Sequence, residues 1–241
     1  MRRVLITGSN RGLGLEFARQ CLARGHRVFA TCRTPSEATA LHQLDEAHPN
    51  HLSVLALDVT DTGSIDASYE AVSAETDGLD WLVNNAGVNS DSAGVHHPDT
   101  YQYLGHLQAE SLLRMLGINA VGPLLVAQRY LDLLKAGEEP RIINISSHMG
   151  SLTHRTSGGS FGYAASKAAL NMFTRSLAAE VAGFGIVAVS INPGWVRTNM
   201  GGPSAPLKAE KSVGGILDVI DGLTAEDNGR FLRWDGAEMP W

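Results

Sequence analysis

Short runs of apolar, β-branched residues alternate with longer amphipathic stretches along the whole chain, and no other feature limits the possible folds as much. Arg3–Thr7, Arg27–Thr31, Leu52–Leu57, Asp80–Val83, Arg141–Ile145, Ile186–Ile191 and Arg230–Arg233 read as strands. Most are near-continuous apolar runs, which suits parallel strands covered on both faces. Leu13–Ala23 carries apolar residues at helical spacing, with Gly25 where a helix would stop. Alternation of this kind predicts right-handed βαβ crossovers and a doubly wound α/β fold, a parallel sheet of about seven strands with helices on both faces. No repeat, low-complexity tract or linker-like stretch divides the chain, so residues 1–241 read as a single domain. The least regular stretches, Val88–Thr100, Ser151–Ser160 and Gly201–Lys211, follow strand ends, where open α/β sheets bind ligands.

Composition excludes several classes. Of 241 residues, 44% are hydrophobic and 18% charged, which suits a packed globule. A net charge of −6 argues against a nucleic-acid partner. No apolar run approaches the roughly 18 residues of a membrane span. After Met1, the apolar run Val4–Thr7 is too short for a secretory signal. Two cysteines, Cys21 and Cys32, are too few for a disulfide framework, and the nine histidines lack metal-ligand spacing. A cytoplasmic protein without a metal site is expected.

The first strand runs directly into Thr7-Gly8-Ser9-Asn10-Arg11-Gly12-Leu13-Gly14. Glycines here allow a tight turn and a close backbone approach to phosphate, and the next helix points its free N–H groups at the anion. A nicotinamide dinucleotide is the expected cofactor. About 20 residues on, where an acid would hold a ribose 2′-hydroxyl, the sequence has Thr31-Cys32-Arg33. Arg33 and Arg11 could instead clamp a 2′-phosphate, so NADP(H) is favoured over NAD(H).

Tyr163 and Lys167 lie four residues apart in Tyr163–Val181, a stretch rich in helix formers, and so share a helical face. A phenol titrating near 10 is a poor acid–base group at neutral pH, but a nearby ammonium should pull it down. Ser146 and Ser147 follow the strand Arg141–Ile145, at the edge where ligands sit, and either hydroxyl could steady a developing oxyanion. Ala164, Ala165, Ala168 and Ala169 suit close helix packing. Met149, Leu152, Phe161, Trp195 and Met200 are candidates for an apolar substrate pocket or for core.

Thr7–Gly14, Asn84-Asn85-Ala86-Gly87, Ser146-Ser147, Tyr163-x-x-x-Lys167 and Pro193-Gly194, in this order and spacing, resemble the short-chain dehydrogenases/reductases across essentially the whole chain. The Ser151–Gly159 insertion, Pro193–Gly202 and the stretch Gly229–Trp241 look closer to the branch of C-factor-like proteins and sniffer-like carbonyl reductases. The resemblance implies a single-domain Rossmann fold and an NADP-dependent oxidoreductase acting on carbonyl or alcohol groups. It implies Ser147, Tyr163, Lys167 and Asn119 as catalytic residues, with Ser147 the active serine of its pair. Asn119 would kink its helix and position a water that links Lys167 to solvent. Gly8, Asn10, Arg11, Gly12, Leu13, Gly14 and Arg33 would bind the phosphates, and Asp58 with Val59 the adenine. Asn85, Ala86 and Gly87, with Tyr163 and Lys167, would line the ribose and nicotinamide. Pro193, Gly194, Val196 and Thr198 would hold the carboxamide and phosphates.

The resemblance also implies a homodimer or homotetramer formed through two long helices, about Leu104–Leu134 and Tyr163–Val181. A regulatory, C-factor-like NADP-binding protein with little turnover is the alternative, since fold does not fix function. An intact Ser147, Tyr163 and Lys167 set speaks for the enzyme. A sugar-nucleotide epimerase would need a longer substrate-binding C-terminal part.

Overall fold

A computed structural model of the chain describes residues 1–89 and 103–241. The strands are β1 (Arg3–Thr7), β2 (Arg27–Cys32), β3 (Leu52–Ala56), β4 (Trp81–Asn84), β5 (Arg141–Ile145), β6 (Val187–Asn192) and β7 (Phe231–Arg233). They form one sheet in the order β3-β2-β1-β4-β5-β6-β7, every pairing parallel. The chain winds outward from β1 to β3, then returns to β4 and winds the other way. Ligands bind at such a reversal, here between the carboxyl ends of β1 and β4.

Alternate residues of each strand feed two cores. Val4, Ile6, Val28 and Ile143 point to the face covered by α1 (Gly12–Ala23), α2 (Thr39–Ala47) and α8 (Ala209–Gly222). Leu5, Phe29, Leu82 and Ile142 point to the face covered by α3 (Thr62–Ser73), α5 (Gly122–Arg129) and α7 (Phe161–Val181). Register places Leu5 beside Phe29, both fully buried, and each such side chain contributes about 1.5–3 kcal/mol. Both strand faces are covered, which is why these runs are apolar without interruption.

The long helix expected over Leu104–Leu134 is shorter and divided. It starts with α4 (Ala109–Leu116), because Gly105 takes φ +91° and stops helical propagation upstream. A π-helical turn at Gly117–Val121 joins α4 to α5, and Leu131–Lys135 follows as α6. Residues Ala109–Arg129 together reach the length and mean hydropathy, 1.3, of a membrane span. They pack along α7 and α3, and Met115, Asn119, Val126 and Ala127 are buried there. The irregular stretch after Val88 lies, beyond Asn89, outside the described residues.

Candidate active site

At the carboxyl edge of the sheet lies a groove of about 1030 Å³ that runs from the β1–α1 turn to α7. At its first end, Thr7 Oγ1 accepts hydrogen bonds from the N–H groups of Asn85 and Ala86, each 3.0 Å, which ties the end of β1 to the end of β4. The Asn85 amide donates to the carbonyls of Thr7, 2.9 Å, and Gly8, 3.1 Å. Gly8 has φ +68°, and a Cβ there would stand 2.9 Å from Cα of Ala86. A Cβ on Gly14 would stand 2.2 Å from the Gly8 oxygen. The turn therefore closes only with glycine at both places. No side chain caps the N-terminus of α1, and its first turn holds no acid. The main-chain N–H groups there, with Asn10, Arg11, Gly12 and Leu13 on the groove wall, suit an anion.

Arg33, just past β2, lies exposed on the same wall as Arg11. Asp58 follows β3. Burial alone would raise its carboxyl. Hydrogen bonds from Thr60 N, 2.9 Å, and Thr60 Oγ1, 2.7 Å, with the charges of Arg33 and Arg114, hold it below the usual carboxylate range. Arg114, on α4, also lines this wall; no sequence motif singles it out. The cradle thus fits a phosphorylated dinucleotide, with two exposed guanidinium groups and no acid in place of Arg33.

At the far end stand Tyr163 and Lys167, one turn apart on α7. Lys167 Nζ donates to the Ile145 carbonyl at 2.8 Å and lies 5.9 Å from the centroid of the Tyr163 ring. Only 5% of Lys167 is exposed, and burial pulls its ammonium down to about 8. Burial also pushes the Tyr163 phenol up, and a hydrogen bond with Ser147 opposes the shift without cancelling it. The expectation that Lys167 draws the phenol down is therefore corrected. The ammonium is turned onto the Ile145 carbonyl of β5, and the contact that opposes burial at the phenol is Ser147.

Ser147 Oγ accepts the Met149 N–H at 3.2 Å, and its hydroxyl lies near enough to the Tyr163 phenol to oppose the upward shift. Ser146 Oγ donates instead to Asn171 Oδ1 on α7, 2.7 Å. The geometry therefore separates two serines that the residues alone left equivalent. Asn119 lies fully buried in the π-helical turn, the bend expected there. Its Oδ1 accepts the Val88 N–H at 2.8 Å. Its amide donates to Val88 O, 2.8 Å, and to Ser166 Oγ, 2.9 Å. With both amide protons engaged, this side chain fastens the segment after β4.

Of the remaining candidates, Gly8, Val59, Asn85, Ala86, Gly87, Pro193 and Thr198 line the groove. Gly14, Ser147, Asn119, Gly194 and Val196 do not line it. Gly194, with φ +82°, makes room for Leu207, which a Cβ would approach to 2.9 Å. Val196 is buried and pairs with Leu207 in an isolated bridge. Leu152, Phe161, Trp195 and Met200 are all exposed and so are not core; of these only Met200 reaches the groove.

The family model described as short chain dehydrogenase matches residues 2–208. The chain is 44% identical over 163 residues to C-signal of Myxococcus xanthus, which covers 68% of this chain and 93% of that protein. The NADPH-bound carbonyl reductase from chicken fatty liver superposes with a TM-score of 0.90 at 36% identity, covering 100% of this chain and 99% of the other. Carbonyl reductase Sniffer of D. melanogaster superposes with a TM-score of 0.91 at 36% identity, covering both chains fully.

Proposed function

The chain belongs to the short-chain dehydrogenase family of oxidoreductases, and from that premise we propose that it is a cytoplasmic, NADPH-dependent carbonyl reductase with Tyr163 as its acid. One observation carries the reading: a single groove joins the glycine turn and Arg33 to Tyr163 and Lys167, with the Ser147 hydroxyl near the Tyr163 phenol. The α1 N-terminus with Gly8, Asn10, Gly12 and Leu13 holds the diphosphate, and Arg11 and Arg33 hold the 2′-phosphate. Asp58 and Val59 flank the adenine. Asn85, Ala86, Gly87 and Lys167 flank the ribose, and Pro193 and Thr198 the nicotinamide. NADPH, when bound, supplies the hydride.

The protein's part is to hold the substrate oxygen and deliver a proton. Ser147 donates toward that oxygen and limits the charge that builds there. Tyr163 hands over its phenolic proton as the oxygen becomes an alkoxide, a far stronger base. A phenol pushed up by burial keeps this proton at neutral pH, which reduction requires. Lys167, at the foot of the groove and titrating near 8, makes good the proton that Tyr163 gives up.

The match to C-signal supports a second reading, a regulatory protein that binds NADPH with little turnover. NADPH consumption with aldehydes, ketones, quinones and diketones separates the two. Turnover that needs Tyr163 supports the reductase, and tight NADPH binding with no turnover on any of the four overturns it. Binding also tests the arginines: NADPH should bind more tightly than NADH, and Arg33→Asp should erase or reverse the preference. Equal affinities in the unaltered protein would refute the assignment of Arg11 and Arg33.

A further inference from the structure

Asn171 belongs to none of the motifs read from the sequence, yet it sits one turn past Lys167 on α7, only 3% exposed. Its Oδ1 accepts the Ser146 hydroxyl at 2.7 Å, and its Nδ2 donates to the Gly150 carbonyl at 3.2 Å. Those contacts fall on the two ends of one short turn. Ser147, His148 and Met149 lie between them, the last two in the 3₁₀ turn that ends at Gly150. The turn is pressed against the same helix, since a Cβ on Gly150 would meet the Lys167 carbonyl carbon at 2.8 Å. Ser146 is fixed on its other side as well, its N–H donating to Ile191 O of β6 at 2.7 Å.

We propose that Asn171 is a positioning residue, a buried amide that clamps both ends of the Ser147 turn onto the helix carrying Tyr163 and Lys167. The spacing between the Ser147 and Tyr163 hydroxyls is thereby set by α7 itself. This gives the two adjacent serines separate roles, with Ser146 anchoring the turn and Ser147 facing the phenol. An apolar residue at 171 would leave the Ser146 hydroxyl and the Gly150 carbonyl buried without this partner, and both ends of the turn would be released.

The proposal rests on the reductase reading for its consequence, but its main test needs neither substrate nor cofactor. Among the described residues, the polar groups set against the Tyr163 ring are the Ser147 hydroxyl, from the turn, and Lys167 Nζ, from its own helix. Titration of Tyr163, followed by NMR of protein labelled at tyrosine Cζ, therefore reports the Ser147 contact. Asn171→Leu should move that titration upward as far as Ser147→Ala does, and Ser146→Ala should move it in the same direction. Ser146→Thr, which keeps a hydroxyl, should return it toward the unaltered protein. In turnover, Asn171→Leu should lower kcat by about 10- to 100-fold, the effect of a small misplacement, with NADPH affinity unchanged. Added to Ser147→Ala it should cost nothing further.

A Tyr163 titration unchanged by Asn171→Leu would overturn the proposal, as would kcat losses that multiply in the double variant. Where Asn171→Leu fails to fold, the Ser146→Ala and Ser146→Thr pair decides by the same two outcomes. A chain that turns over no carbonyl but shows the coupled titration refutes the reductase reading and leaves the clamp standing.

Discussion

On the proposed mechanism Tyr163 must part with a proton from a site whose burial pushes its phenol up, and this sets what single substitutions should do. Tyr163→Phe keeps the ring and its packing, so NADPH binding should survive while kcat falls by about 100- to 10,000-fold. Stopped-flow reduction of a good substrate checks this, and most of the activity surviving would exclude Tyr163 as the acid. Lys167 carries a stability consequence independent of turnover. Its ammonium is drawn down from 10.5 to about 8 by burial. Below about 8 it is charged in both the folded and the unfolded chain, and folding bears the full cost of burying the charge. Between about 8 and 10.5 the unfolded chain binds more protons, so stability rises with pH across that window. Relative to Lys167→Met, the unaltered chain should gain on the order of 3 kcal/mol between pH ~7 and pH ~10.5. Urea unfolding at the two pH values measures the difference, and a flat one would show that Lys167 is not desolvated as described.

Two helix beginnings show how an element can be built for stability or for a ligand. Asp61 caps α3, its carboxylate accepting from Gly63 N, 2.8 Å, and Ser64 N, 3.3 Å. Asp61→Ala should cost about 1 kcal/mol and leave kcat/KM unchanged. The start of α1 has no such cap and opens on the groove. Gly14→Ala would drive a Cβ to 2.2 Å from the Gly8 carbonyl, so it should abolish NADPH binding measured by calorimetry. Binding that survived would mean the turn does not hold the phosphates. These elements were unevenly legible in the sequence. The bounds of β1 and β5 match the stretches read as strands residue for residue, since polar or glycine residues follow directly at Gly8 and Ser146. β4 is displaced by one residue. Asp80 is drawn out of the strand pattern by Arg3 and the Glu138 N–H, while the polar Asn84 is kept inside by its bond to Asn144, 2.9 Å. The glycine turn, Tyr163 and Lys167 were legible because their spacing is local. Asn171, Arg114 and the Thr7 bridge were not, because each acts on partners that only the fold brings near.

In the whole molecule, the reversal of winding between β1 and β4 places the glycine turn, and α7 brings Tyr163 and Lys167 to the same edge. The opposite edge is tied by ion pairs such as Arg3 with Asp80, 2.9 Å, which leaves the ligand edge free of that duty. What the molecule does with its outer surface follows from the other side of α4 and α7. The two helices pack side by side, and Leu113 and Met172 project from them 67% and 64% exposed. Ala165 is exposed on α7 as well, so its backbone is open to close approach. Large apolar side chains standing in water next to small ones suit a self-complementary contact about a two-fold axis. Sedimentation at micromolar concentration should therefore give a mass of two or four chains of 25.7 kDa each. Met172→Glu places four like charges at the two contacts of a tetramer, or a facing pair in a dimer, and should lower the mass toward one chain without unfolding it. A single-chain mass for the unaltered protein would refute the assembly and leave the groove, which lies wholly within one chain, as the complete site.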